Sequence, residues 1–495
     1  MKKYLFKISI LAAMLTMTES CSKSYLNDIK AENGDLTSEI LFTTKSGAVN
    51  ALTGIYYILR SENYNGYGGD PNNSGNLTNR GLKTDQFFFD VRGNDIIPTT
   101  SWWGNEYNWA ENSYGRIANG SRTLQVWDMF YKVINNANAI IKNLPGVSDA
   151  SAEDKAELSA EAAALRAYSY FWLARVYQYT YAKDPNAKGV PIYTEPGISG
   201  HPRASMKDVY ALIVADLENA VAKLPADRDK KYRINKNVAA GILAEVYQEM
   251  AMADATLWQK AIDNAKTAYD GFPLMSNASY QAGFNDLTNE EWIWGFPVPV
   301  DQTLSYYSLF SFIDPVGGYY RNIYINEGFV NLFSATDARK ATFVPVTPNA
   351  NYPYRKYQTH KYQAKESMSG DILVMRAAEM HLIEAEALAQ QGKINEGIDA
   401  LYTIQSLRDP SYTKPAGLTK DQLIDAILLE RRKELYAEIG AEFFDLKRYQ
   451  RPLQRTGTHW SAVLNVPATD ERWLFQLPQA EIDANISMTP ADQNK

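Results

Sequence analysis

Apolar residues return at spacings of three and four along stretch after stretch of this chain, and most such stretches are soon followed by another. Ala48–Leu59 carries Val49, Leu52, Ile55, Tyr56 and Leu59, the stripe of an amphipathic helix. Trp127–Leu144 sets Trp127, Phe130, Tyr131, Ile134, Ala137 and Ile141 on one face, and Pro145-Gly146 ends it. Leu158–Tyr179 and Asp208–Leu224, the latter closed by Pro225, read the same way. Then come Val238–Met252 with Thr256–Tyr269, Leu373–Gln390 with Ile394–Leu407, and Leu423–Ile439 with Ala441–Tyr449, with Gly392 and Gly440 at two of the joints. A chain patterned like this must bury helix against helix.

Helix–turn–helix units of this size resemble tetratricopeptide repeats, whose period is about 34 residues. The expected fold is mainly α, with tetratricopeptide-like helix pairs as scaffold, long loop-rich insertions and a few short strands. Those insertions cover residues 60–81, 101–114, 183–206 and 271–371, so a continuous solenoid is not expected. Long loops inside a compact protein are usually functional. A strand is expected around Trp292–Phe296, with Trp292 and Trp294 in the core because apolar residues flank them.

Lys2, Lys3 and Lys7 precede an apolar run from Ile8 to Met17, and the single cysteine, Cys21, follows it. This is the pattern of a secretory signal, too short to span a bilayer. The placement of Cys21 resembles the lipobox of bacterial lipoproteins, in which the cysteine is acylated and becomes the first mature residue. The expected organisation is a signal peptide over 1–20, a lipidated tether over 21–40, and one compact domain over 41–495. That domain would have an N-terminal part of about 41–232 and a C-terminal part of about 285–495. Removing 1–20 takes away three Lys and one Glu and moves the formal charge from −7 to −9. This acidity argues against nucleic acid as a partner. One cysteine excludes intrachain disulfides and Cys-ligated metal clusters.

Motifs for nucleotide, metal or nucleophilic chemistry are missing: no P-loop, no HExxH and no GxSxG occur. No cofactor or metal is expected, and His381 with Glu384 on one helix face reads as structural. The 57 carboxylates leave a glycosidase pair open, since such residues meet only in space. Glu430, Arg431 and Glu434, followed by Asp445 and Arg448, read as a hydrogen-bonded brace between two helices, with Arg431 reaching Glu434 or its turn.

Glu430-Arg431-Arg432-x-Glu434-Leu435 followed by Phe443-Phe444-Asp445-Leu446-Lys447-Arg448 resembles the C-terminal signature of SusD-like (RagB/SusD) outer-membrane lipoproteins. Further matches run in order along the chain: Ala51-Leu52-x-Gly54-Ile55-Tyr56, Trp127-x-x-x-Tyr131-x-x-Ile134-x-x-Ala137-Asn138, Glu161-Ala162, Leu165-Arg166-Ala167-Tyr168, Glu384-Ala385-Glu386-Ala387 and Leu477-Pro478. Two places depart from the family pattern. The usual Gly-x-Arg is Gly440-Ala441-Glu442, and an Asn-x-x-Arg-x-Arg stretch is replaced by Tyr402–Arg408. The resemblance implies a non-enzymatic lipoprotein on the extracellular side of the outer membrane. It would bind oligosaccharide and deliver it to a SusC-like TonB-dependent transporter. A helical glycoside hydrolase and a repeat-type protein- or peptide-binding adaptor are the alternatives.

A pyranose has an apolar C–H face and a polar rim, so flat rings interleaved with amides suit it. Trp102, Trp103, Tyr107 and Trp109, with Asn105 among them, provide that mixture in one loop. Tyr319 and Tyr320, after Gly317-Gly318, provide it in another. These are the candidate ligand-binding residues. The competing reading is that the same rings pack their loops onto the helices.

Overall fold

The computed structural model describes residues 41–60, 81–99, 116–303, 306, 308–459 and 463–495; the signal, Cys21, the tether and Trp102, Trp103, Asn105, Tyr107 and Trp109 lie outside them. Within the described residues the chain is mainly helical with short strands, as the periodicity predicts. The helices of six residues or more are α1 (Lys45–Arg60), α2 (Leu82–Val91), α3 (Ser121–Asn143), α4 (Ala152–Tyr177), α5 (Met206–Lys223), α6 (Lys236–Met250), α7 (Trp258–Tyr269), α8 (Ala377–Gln390), α9 (Ile394–Arg408), α10 (Lys420–Leu435), α11 (Ala441–Arg448) and α12 (Gln479–Ala484). Local chemistry sets their starts. Ser151 Oγ accepts the Asp154 N–H while the Asp154 carboxylate accepts the Ser151 N–H, a reciprocal cap on α4. Thr419 and Gln422 do the same for α10. No helix among the described residues is long and apolar enough to cross a membrane.

Each scaffold helix packs on the next: α1 on α3, α3 on α4, and so on through α7. The break expected after α7 does not occur in space, because α7 packs directly on α8 although residues 271–371 lie between them. The strands explain how. β4 (Trp292–Phe296) and β8 (Ile372–Arg376) pair antiparallel, Trp292 opposite Arg376 and Phe296 opposite Ile372, which closes the neck of the excursion. Residues 372–376 are thus a strand, not the first turn of the helix expected from Leu373. Ile372-Leu373-Val374-Met375 is buried throughout, and a short run apolar on every side carries no period to separate strand from helix. Trp292 and Trp294 are fully buried in this pair.

Helix α8 has no solvent-facing stripe of the usual width. Ala377, Met380, Ile383 and Ala387 join the main core, while Ala378, Leu382, Ala385 and Ala389 join a second one with α9 and α10. α2 is more extreme, since all ten of its residues are buried, including Lys83, Asp85, Gln86 and Asp90. Asp90 accepts the backbone N–H groups of Ala437 and Gly440, both at 3.0 Å, and Lys83 donates to the Glu438 carbonyl at 2.9 Å. Gly440 takes φ +71°, and a Cβ there would lie 2.5 Å from Phe89 Cβ, so only glycine fits the turn into α11.

A sheet of four strands joins the excursion to residues 96–98, in the order β1 (Ile96–Pro98), β5 (Ile323–Ile325), β7 (Tyr357–Thr359), β6 (Phe343–Pro345), all antiparallel. Two further strands, β2 (Lys188–Pro191) and β3 (Arg203–Ser205), pair beside α5.

Candidate ligand-binding surface

The turn before β5 builds an aromatic platform. Asp314, itself buried, accepts the Val316 N–H at 2.9 Å and the Ala364 N–H at 2.8 Å, fixing the turn to a neighbouring loop. Gly318 is wedged against this turn: a Cβ there would lie 2.4 Å from the Asp314 carbonyl oxygen and 2.8 Å from those of Phe310 and Ser311. Tyr320 and Arg321 both donate their N–H groups to Ser311 O, at 2.9 and 3.1 Å. Arg321 sits at φ +48°, held there as its Nε donates to Gly318 O at 2.7 Å and its second nitrogen to Val316 O at 2.9 Å.

The rings follow from this backbone. Tyr320 is half-buried and stacks on buried Phe312 with centroids 5.0 Å apart. Tyr319 points the other way, 58% exposed, edge-on to Tyr320 at 5.2 Å. Tyr306, 47% exposed, meets Tyr319 at 4.8 Å. One candidate therefore anchors the surface and one presents it. Tyr306 joins them and was not among the candidates, although the Tyr306-Tyr307 doublet in the same insertion was a visible signal.

Trp102, Trp103, Asn105, Tyr107 and Trp109 lie outside the described residues, but their point of departure does not. Thr99 donates its N–H to Asn322 O at 3.0 Å, one step beyond the pairing of Pro98 with Ile323. The chain thus leaves for that segment beside the strand that follows Tyr319 and Tyr320.

The brace residues fall into two buried clusters. In the first, Glu434 on α10 accepts from Arg376 at 2.9 Å, from Arg408 at 2.8 Å and from Arg339 at 2.8 Å. Arg339 also reaches Glu430 and Asp337, Lys433 pairs with Asp337 at 3.0 Å, Arg376 with Glu291 and Glu438, and Lys361 with Glu438. Five cations face five carboxylates, all of them buried. Burial pushes the Glu434 carboxyl up, but Arg408, Arg376 and Arg339 outweigh it and hold it well below the usual carboxylate range. In the second cluster Arg431 donates to Asp445 at 2.8 Å rather than to Glu434, and Arg448 donates to Asp445 at 2.9 Å and to Glu386 at 2.9 Å.

The first cluster ties the insertion to α10, since Asp337, Arg339 and Lys361 belong to the same excursion as the tyrosine platform. Lys361 adds bonds to the carbonyls of Glu434 at 3.0 Å and Tyr436 at 2.8 Å. Glu442, standing where an arginine was expected, accepts the Asn94 N–H at 2.6 Å and pairs with Arg432 at 3.3 Å.

His381 stacks on Tyr269 at 4.0 Å, and burial lowers its pKa; Glu384 accepts the Tyr269 hydroxyl at 2.8 Å. Among the described residues no group of His, Cys, Asp or Glu side chains is arranged to hold a metal.

Two family profiles match this chain. One, SusD-like_3, described as starch-binding and associating with outer membrane, covers residues 74–248; the other, SusD_RagB, described as the SusD family, covers 311–495. SusD-like protein P38 of Formosa agariphila is 26% identical over 388 residues, 67% of this chain and 73% of that protein. SusD-like protein P2 of the same organism is 23% identical across 99% of both chains. A SusD-like carbohydrate binding protein from Bacteroides vulgatus superposes with a TM-score of 0.80 at 27% identity, over 91% of this chain and 98% of that one.

Proposed function

The chain belongs to the SusD family, and from that premise we propose that it is a carbohydrate receptor of the outer membrane. It captures oligosaccharide on its tyrosine platform without cleaving it. The observation that carries this reading is the exposed Tyr306–Tyr319 pair, braced from below by Tyr320 on Phe312. Rings held at fixed angles by a hydrogen-bonded turn offer a preformed apolar face, and little side-chain freedom is lost when a sugar stacks on it. Arg321 beside them supplies hydroxyl-matching polar atoms. Trp102, Trp103, Asn105, Tyr107 and Trp109 are further candidates for ligand contact in the same reading.

The finer parts of the proposal follow from the sequence. Cys21 carries the lipid anchor, residues 21–40 are the tether, and the receptor passes its glycan to a SusC-like TonB-dependent transporter. Anchoring through several acyl chains is stable, each buried CH₂ contributing about 0.8 kcal/mol.

Titration calorimetry with oligosaccharides from starch, xylan, mannan, pectin and β-glucan tests the central claim. Saturable binding to one class, with no new reducing ends released, is the expected result. No binding across the panel, or release of shorter sugars, overturns it. Co-purification with the transporter from detergent-solubilised outer membranes tests the partner, and loss of growth on the bound glycan in a deletion strain tests delivery.

A further inference from the structure

None of the platform residues lines a separate cleft on the N-terminal helices. The first half of α3, the turn over 192–201 and helix α12 enclose about 360 Å³, within the range of small-molecule pockets. Its floor is aromatic. Trp127 and Tyr131 lie with centroids 4.7 Å apart, and Tyr131 meets Tyr193 edge-on at 5.7 Å. Both phenol hydroxyls are engaged by the protein: Tyr131 donates to Pro191 O at 2.8 Å, and Tyr193 accepts the His201 N–H at 3.2 Å. Trp127 is buried beneath them and His201 stacks on Tyr193 at 4.5 Å, so what remains for a ligand is the partly exposed ring surface of Tyr131 and Tyr193.

Charged and amide groups stand around that floor. Glu481 is oriented by two donors, Trp127 Nε1 at 3.3 Å and Asn485 Nδ2 at 2.8 Å. Asp128 sits in the cleft with Lys132 at 3.2 Å, and burial raises its carboxyl to about 7. Asn135 accepts the Gly197 N–H at 3.0 Å through its oxygen, which fixes the amide plane of its side chain.

We infer that this cleft is a second carbohydrate site, taking one neutral pyranose ring on Tyr131 and Tyr193, over the base formed by Trp127, with its hydroxyls bonded to Asp128, Glu481 and Asn135. The chemistry selects the ligand. Flat rings match the C–H face of a sugar, carboxylates accept from its hydroxyls, and Lys132 and the amide donate to them. Burial leaves Asp128 only partly ionised near neutral pH, so the net charge of Asp128, Glu481 and Lys132 stays small and a neutral sugar needs no counter-charge there. The inference rests on the reading of the chain as a carbohydrate receptor, but it does not use the platform.

Saturation-transfer NMR with glucose, galactose, mannose, xylose, N-acetylglucosamine and N-acetylgalactosamine tests it on the full chain. At least one sugar should bind saturably to the wild type and with the same affinity to Glu218→Gln, a surface change away from both sites. Tyr193→Ala and Asp128→Asn should each weaken that binding about tenfold or more. Ala484→Trp changes an exposed residue at the rim, so it fills the cleft without touching the core, and it should abolish binding with the melting temperature unchanged. No binding by any of the six sugars overturns the inference. So does binding that survives Ala484→Trp. Monosaccharide binding retained while oligosaccharide binding is absent would instead sink the platform and leave the cleft standing.

Discussion

Glu434→Gln preserves the shape of the side chain and removes one charge from the buried cluster. The carboxylate accepts from three guanidiniums, those of Arg376, Arg408 and Arg339, at 2.8–2.9 Å. Glutamine keeps one acceptor oxygen and turns an NH₂ toward a guanidinium, so at least one donor loses its partner. Five cations then face four carboxylates in a site where Arg339, Arg376 and Arg408 are at most 1% exposed. Removing one partner from a buried charge network costs about 3–5 kcal/mol, because the remaining charge is uncompensated. The exposed pair of Glu218 and Lys260, about half accessible on each side, is a natural control, with about 0–1 kcal/mol at stake. Urea unfolding followed by tryptophan fluorescence gives both values. Glu434→Gln should move the midpoint far below that of Glu218→Gln without changing the slope. Adding Arg408→Met should recover part of the loss by restoring charge balance. A loss below about 1 kcal/mol, or equal to the control, would refute the claim that this cluster clamps the insertion.

Other expectations are simpler. Tyr319→Ala should lower oligosaccharide affinity about three- to tenfold by calorimetry and leave the melting temperature unchanged, because the ring stands off the core; a matching loss of stability would place it inside. Gly318→Ala forces a methyl to within 2.4 Å of a carbonyl oxygen, so it should cost about 1–3 kcal/mol and weaken glycan binding as the turn shifts. Burial, with Glu245 adding to it, raises the Glu379 carboxyl from 4.5 to about 8. Its contribution to stability is therefore complete below about pH 4.5 and lost as pH rises through about 8. Between these values the wild type should lose stability more steeply than Glu379→Gln, and parallel pH profiles would contradict the assignment. Cys21→Ser should abolish labelling by a palmitate analogue and release the protein from the membrane fraction.

Scaffold helices such as α1 and α7 were legible because each has a dry and a wet side. α2 was not. Lys83, Asp85, Gln86 and Asp90 are as buried as Phe87, Phe88 and Phe89, so its ten residues show no stripe and the segment reads as unpatterned. β8 failed for the opposite reason, being apolar on both faces and joined directly to the helix that follows. Glu430 and Glu434 could be read as a pair on one face of α10. Their partners Arg339, Arg376 and Arg408 come from three distant places, and no spacing connects them. Tyr319 and Tyr320 were visible as rings after two glycines. Which of them faces water depended on Phe312 and on the wedge at Gly318. The cleft beneath Tyr193 gave no signal, because helix, turn and C-terminal segment meet there only in the folded chain.

The burial of α2 also bears on time. Its side chains at positions 83 and 90 bond to residues 437–440, partners separated by 347 to 355 positions. As the polypeptide is made, Lys83 and Asp90 emerge long before anything exists to receive them. Contacts so distant along the chain close late. Asp85 can pair with Arg122 and Phe89 can meet Trp172 early, but Lys83 and Asp90 lack their partners until residues 437–440 have been made. The helix therefore reaches its final set of bonds only after about nine-tenths of the chain exists.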